Sequence, residues 1–267
     1  MAGLGLMCLI AGNLGYVFQP VPPWIPWRHG LAYASGVLLL VGGLAVLVPK
    51  TTARAAQVLT AYFFFVWLLL LNVPTTVAKP TVVGHWEGCG LDMTILAGSW
   101  ILLALSRQPP AGPAGRLFGE SGVTLARRVY AAGLPLIGLA HFASAREATE
   151  YVPTWFPLRI DWVYLTGAAH VAAGLAILFG VVPRLAAVLE AAQVTAFVVL
   201  SHVPSVLGAP RDRIQWGMFF DALAIAGSAW LVATTFRGRW LGIELPWKGG
   251  PRRVAIGVGD EPREPRE

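Results

Sequence analysis

The segment Trp24-Ile25-Pro26-Trp27-Arg28 returns 131 residues later as Trp155-Phe156-Pro157-Leu158-Arg159. At the same spacing Tyr33 falls on Tyr164, Gly36 on Gly167, Gly43 on Gly174, and Leu44-Ala45 on Leu175-Ala176. After a gap the spacing is 130. Arg54 then falls on Arg184, Asn72-Val73-Pro74 on His202-Val203-Pro204, Pro80 on Pro210, and Trp86 on Trp216. A second small gap brings Asp92 onto Asp221 and Ala97-Gly98-Ser99 onto Ala226-Gly227-Ser228. Chance does not place so many Trp, Pro and Gly residues in one order. The chain reads as two tandem copies of one unit.

The solvent of that unit follows from composition. Of 267 residues, 56% are hydrophobic and 13% charged, and the mean hydropathy is +0.62. Ordinary globular chains carry about 25% charged residues. So few charges cannot cover a water-facing surface, which excludes a soluble domain and a disordered chain alike. Two cysteines, Cys8 and Cys89, do not make a disulfide scaffold. The net charge of +6 sits in short linkers and the tail, not on an aromatic-bearing stripe, and does not point to nucleic acid. What remains is a multi-pass membrane protein. Eight apolar runs approach the length of a spanning helix, about 20 residues. They lie near 3–19, 30–48, 55–78, 90–106, 129–145, 161–181, 184–207 and 216–236. The predicted fold is all-α, with eight transmembrane helices as two four-helix bundles. An even number of helices per copy makes the repeat parallel rather than inverted.

Lysine and arginine set the orientation. The side holding both termini and the even-numbered loops carries 14 of them, against 6 on the other. Both termini are therefore expected in the cytoplasm, with the chain in the cell membrane. The outer side is rich in Trp: Trp24, Trp27, Trp86, Trp155, Trp162 and Trp216. Indole favours the headgroup layer. The copies are expected at 1–106 and 128–240, joined by a Pro/Gly-rich cytoplasmic linker at 107–127 and followed by a disordered tail at 241–267. Gly36 and Gly43, like Gly167 and Gly174, stand seven apart on one helix face. That spacing predicts close helix approach.

The second copy resembles the DoxX-like family of small four-helix membrane proteins. The resemblance rests on Ala140-His141-Phe142, on Val152-Pro153-Thr154-Trp155-Phe156-Pro157, on Leu165-Thr166-Gly167-Ala168-Ala169-His170-Val171-Ala172-Ala173-Gly174-Leu175, and on Pro183-Arg184 with His202-Val203-Pro204. The first copy fits as a diverged version. Many relatives carry Glu where this chain has His170. The resemblance implies a four-helix unit and a loose tie to quinone-linked membrane redox complexes, with a redox subunit as partner. It implies no defined reaction.

Ionisable side chains within spans are costly and are site candidates by default. His141, His170 and His202 align near Ala11, Leu39 and Asn72, and Glu190 aligns with Thr60. The second copy has thus gathered polarity that the first lacks. A rise of about 1.5 Å per residue puts His141 and His202 roughly 5 Å below the outer rim, Asp221 about 7 Å and His170 about 16 Å. Each histidine has a structural reading, bonded to a carbonyl or to Asp221, and a functional one, contacting a quinone carbonyl and passing it a proton. Haem ligation by His141 and His202 has no diagnostic motif, and zinc is disfavoured by the spread of depths. In the ligand reading Trp155 and Trp216 cover the mouth and Arg159 lies there. Glu190 either pairs with Arg184, Arg127 or Arg128, or takes up protons from the inner side.

Three functions remain open at this point. The first is an accessory subunit of a quinone-linked redox system with its ligand in the second bundle. The second is a carrier for a small solute or lipid. The third is a ligand-free scaffold. No Cys-x-x-Cys, phosphate-binding Gly-rich loop or Gly-x-Ser-x-Gly elbow occurs.

Overall fold

The computed structural model describes residues 1–13 and 25–236, and among these there is no strand. The main helices are α1 (Ala2–Ala11), α2 (Arg28–Ala45), α3 (Thr52–Ala78), α4 (Val83–Ser106), α5 (Gly119–Ala143), α6 (Arg159–Phe179), α7 (Pro183–Gly208) and α8 (Arg213–Thr235). Six of them, α3 to α8, are long and apolar enough to cross a membrane. Large apolar side chains such as Val41, Phe65, Leu105, Leu139, Leu165, Phe179 and Leu189 are exposed on the outer surface. Water would reject such a surface, and hydrocarbon accepts it.

The repeat seen in the sequence is a repeat of geometry. The indole of Trp86 donates to the Pro80 carbonyl at 2.9 Å, and that of Trp216 to the Pro210 carbonyl at 3.0 Å. Trp27 and Leu158, 131 apart, both enter their helices in the left-handed region, with φ of 52° and 51°. α3 and α7 each widen into a π-helical stretch, Tyr62–Asn72 and Val198–His202, just before Val73-Pro74 and Val203-Pro204. Each proline lacks an N–H and its ring crowds the carbonyl four residues back, on Leu70 or Leu200. Widening the helix relieves that crowding.

Close helix contacts run through small residues. A Cβ on Gly138 would lie 2.5 Å from the Gly167 carbonyl, and one on Gly90 would lie 2.7 Å from the Gly133 carbonyl. The four glycines of the spacing argument all lie in such contacts: Gly36 against Gly5, Gly43 against Ala2, Gly167 against Gly138, and Gly174 against Ala131. Pro135 deprives the Ala131 carbonyl of its helical partner. That carbonyl faces Gly174, whose missing side chain lets the two backbones meet. The copies interlock. α4 of the first lies along α5 of the second, and α1 meets α8 in the equivalent way, with Gly3 against Phe220 as Gly133 is against Gly90. α4 and α8 cross where Gly98 meets Ser228.

Three expectations need adjustment. α1 ends at Ala11, where Gly12 turns left-handed, well short of residue 19. α5 begins at Gly119, inside the segment read as linker. Arg127, the last residue of the segment read as linker, therefore sits within the helix. Its guanidinium donates to the Thr235 hydroxyl and carbonyl and lies 4.2 Å from the centre of the Phe236 ring. The preceding chain, with a 3₁₀ turn at Pro113–Leu117, is held by the Trp100 indole donating to the Leu117 carbonyl. The expected tail at 241–267 and the first Trp-Ile-Pro, through Trp24, lie outside the described residues.

Candidate buried acid–base site

α6 carries His170 eleven residues past its start, about 16 Å along the helix. α7 runs antiparallel beside it and brings Glu190 to the same level. His170 Nδ1 donates to Glu190 Oε1 at 2.8 Å. Both residues are 2% exposed. Glu190 is thus paired with an imidazole rather than with Arg184, Arg127 or Arg128. The helix register explains this: six residues past Pro183-Arg184, its side chain points between α6 and α7, not back to the rim.

α5 adds two groups. His141 lies at the end of α5, yet its ring centre is 5.1 Å from that of His170. Helical side chains tilt toward the N-terminus of their helix. His141 therefore leans back toward the start of α5 and His170 toward the start of the antiparallel α6, and an expected depth difference of about 11 Å closes. The His141 Nδ1 donates to the Ile137 carbonyl at 3.0 Å, which leaves Nε2 of the neutral ring as an acceptor. Tyr130 is fully buried, and its hydroxyl has no hydrogen-bond partner among the described residues. Phe197 of α7 stacks on the His141 ring and meets the His170 ring edge-on.

α4, from the first copy, brings the partly buried Glu87 to the same end of the bundle as His141, since α4 and α5 run antiparallel and touch at Gly90 and Gly133. Among the described residues three buried polar atoms have no hydrogen-bond partner here: His170 Nε2, Glu190 Oε2 and the Tyr130 hydroxyl. In a low-dielectric interior such atoms are costly, and their grouping marks a place where a hydrogen-bonding guest would be stabilised. Among the described residues no three His, Cys, Asp or Glu side chains gather closely enough to hold a metal ion.

The other candidates stand apart. His202 is twelve residues beyond Glu190 on α7, about 18 Å along the helix. Its Nδ1 is buried without a hydrogen-bond partner among the described residues. Asp221 makes no hydrogen bond to a histidine among the described residues. In the first copy the equivalent Asn72 and Asp92 are hydrogen-bonded to each other. Arg159 is a brace: its guanidinium donates to the Val152 carbonyl at 2.9 Å and the Thr149 carbonyl at 2.6 Å. Trp216 pins the turn between α7 and α8, as Trp86 does in the first copy. Trp155 is exposed and packs on Phe156.

Sequence reading missed Glu87, Tyr130 and Phe197. Glu87 fell outside the span read from residue 90, and Tyr130 looked terminal on a helix read from 129. Extending α4 and α5 to their true starts at Val83 and Gly119 puts both inside.

A family model for a domain of unknown function, DUF8561, matches residues 130–235, the second copy from Tyr130 to the end of α8. No curated protein and no solved structure matches the chain.

Proposed function

We propose that the second copy, with Glu87 from the first, is a protonatable binding centre for a lipophilic carbonyl ligand, and that the protein serves as an accessory subunit of a quinone-linked membrane redox system. The observation that carries this reading is the hydrogen-bonded His170–Glu190 pair buried among unpartnered polar atoms. A quinone carbonyl accepts hydrogen bonds, and a reduced quinone donates them. Tyr130 donates, Glu190 Oε2 accepts, and His170 Nε2 does either according to its protonation. Phe197 and the imidazole of His141 offer flat faces to a ring. The DoxX-like resemblance of the second copy is part of the same proposal, as is an eight-helix arrangement with both termini cytoplasmic.

The binding test uses the purified full chain in mild detergent with a short-chain ubiquinone analogue. The expected result is a rise in Tm with added quinone, and an affinity weakened about tenfold by Tyr130→Phe, which removes the hydroxyl that donates to the quinone carbonyl, a hydrogen bond of about 1.4 kcal/mol. If no quinone co-purifies and none raises the Tm, the ligand reading fails and a scaffold remains. Orientation has its own test. With Gly115→Cys, an impermeant maleimide is expected to label inverted vesicles and not intact cells. Labelling from outside reverses the topology.

A further inference from the structure

We infer that the first turns of α5 hold a headgroup site for an anionic phospholipid, in which Arg116 and Arg128 take the phosphodiester and the acyl chains follow the lipid-facing side of the helix. The inference is independent of the His170–Glu190 centre and of any ligand held there.

An open groove of about 400 Å³ runs along the beginning of α5. Arg116, from the 3₁₀ turn before the helix, lines it together with Glu120, Ser121, Thr124, Leu125 and Arg128. Both arginines are exposed, and among the described residues neither has a hydrogen bond or an ion pair. Helical side chains tilt toward the N-terminus of their helix, so Arg128 leans toward the end where Arg116 stands. Two guanidiniums and one carboxylate leave the groove a charge of +1. That complements one singly charged phosphodiester, whose oxygens match the planar fork of arginine. Ser121 adds a hydroxyl with no partner among the described residues, and Glu120 can accept a hydrogen bond from a headgroup hydroxyl.

Depth says why the phosphate should belong to a lipid. α5 has 25 residues. At 1.5 Å per residue that is about 37 Å, against a hydrocarbon layer of about 30 Å. Arg128 is nine residues past Gly119, about 13 Å along the helix. Even if the whole excess of about 7 Å projects at this end, its Cα lies about 6 Å inside the hydrocarbon, and tilting the helix only deepens it. A charge at that level must be paired, or reach back to the headgroups. The neighbouring Arg127 turns inward and is satisfied by Thr235 and Phe236. Arg128 turns the other way. Thr124, Leu139 and Phe142 lie within about 40° of it around the helix, and all three are exposed. The groove therefore opens onto a lipid-facing stripe. The protein supplies Arg128 with no counter-charge there, and a phospholipid brings one at the right level. A soluble phosphate would meet the same guanidiniums but has nothing to lay along Leu139 and Phe142.

The test is native mass spectrometry of the full chain in mild detergent, titrated with phosphatidylglycerol and, in parallel, with phosphatidylcholine of the same acyl chains. The parent is expected to bind phosphatidylglycerol about tenfold more tightly, the lower end for a hydrogen bond between charged groups. Arg116→Gln/Arg128→Gln is expected to lose that preference while its affinity for phosphatidylcholine stays the same. Arg107→Gln, at the end of α4 on the same side of the bundle but outside the groove, is expected to keep it. Excess inorganic phosphate is expected to leave the lipid bound. An unchanged Tm in lipid-free detergent shows that each variant is folded. Should the double variant not purify, Arg128→Gln alone carries the test, with a loss of several-fold expected. Equal affinity of the parent for the two lipids, or a preference that survives in the arginine variants, overturns the inference. So does an equal loss in Arg107→Gln, which would mean a diffuse basic surface, or displacement by inorganic phosphate, which would mean a soluble-anion site.

Discussion

Glu190→Ala, with His170 left in place, is expected to cost the folded chain about 1–3 kcal/mol, the usual penalty for leaving a buried hydrogen-bond donor without its partner. The variant strands an imidazole N–H that now has the 2.8 Å partner Glu190 Oε1. The double variant His170→Leu/Glu190→Thr is expected to recover most of that loss. The first copy shows why. At the equivalent positions it holds Leu39, buried in the apolar core, and Thr60, whose hydroxyl donates to the Ala56 carbonyl four residues back. In the second copy the new hydroxyl would find the Ala186 carbonyl in the same relation. Leucine has no polar group to desolvate and the threonine hydroxyl is satisfied within its own helix, so no buried polar group is left unpaired. Denaturation in mixed SDS micelles, followed by Trp fluorescence, measures both variants. A double variant as unstable as the single one would mean that the pair holds the bundle together, and the scaffold reading would gain. A double variant that is stable but binds no quinone separates the pair's chemistry from the fold.

The comparison between copies also explains what could be read from the chain and what could not. Trp86, Pro80, Trp216 and Pro210 sit in the same hydrogen-bonded turn twice, so a one-dimensional alignment captured a three-dimensional device. The polar surplus of the second copy was equally visible, since His170 faces Leu39 and Glu190 faces Thr60 across the repeat. The partner of Glu190 was not. Charge and proximity in sequence favoured Arg184, but helix register decides which neighbour a side chain reaches, and register needs the true helix start. The depth of His141 failed for a related reason. Counting rise per residue locates Cα atoms, whereas opposite tilts of side chains on antiparallel helices brought His141 and His170 together. Asp221 was grouped with the histidines because it is ionisable, lies within a span and falls at about the depth counted for His141 and His202. Yet the Asn72 that pairs with Asp92 is replaced by His202, and the pairing does not carry over. Glu87 was the hardest to foresee. It belongs to the other copy, and nothing in a single copy's pattern reveals that α4 lies along α5.

That packing leads to the second large effect. Gly138→Val is expected to destabilise the chain by about 1–3 kcal/mol or more, the range for forced overpacking. A Cβ on Gly138 would lie 2.5 Å from the Gly167 carbonyl and 2.7 Å from Val171 Cγ2. The first obstacle is backbone, so no rotamer change can relieve it. α5 and α6 must separate, and His141 then leaves His170. Gly227→Ala is the matched control. It is also a glycine inside a membrane-embedded helix, but a Cβ there meets nothing within 4 Å. Relief of backbone freedom alone should stabilise it by about 0.5–1 kcal/mol. The two substitutions therefore have opposite expected signs, which helix propensity cannot produce, since alanine and valine both exceed glycine. Mixed-micelle denaturation gives the sign, and the His170 N–H signal of the ¹⁵N-histidine-labelled chain reports the site: shifted in Gly138→Val, unmoved in Gly227→Ala. A Gly138→Val chain as stable as its parent would show that α5 and α6 do not approach through backbone. The 5.1 Å meeting of His141 and His170 would then lose its structural basis.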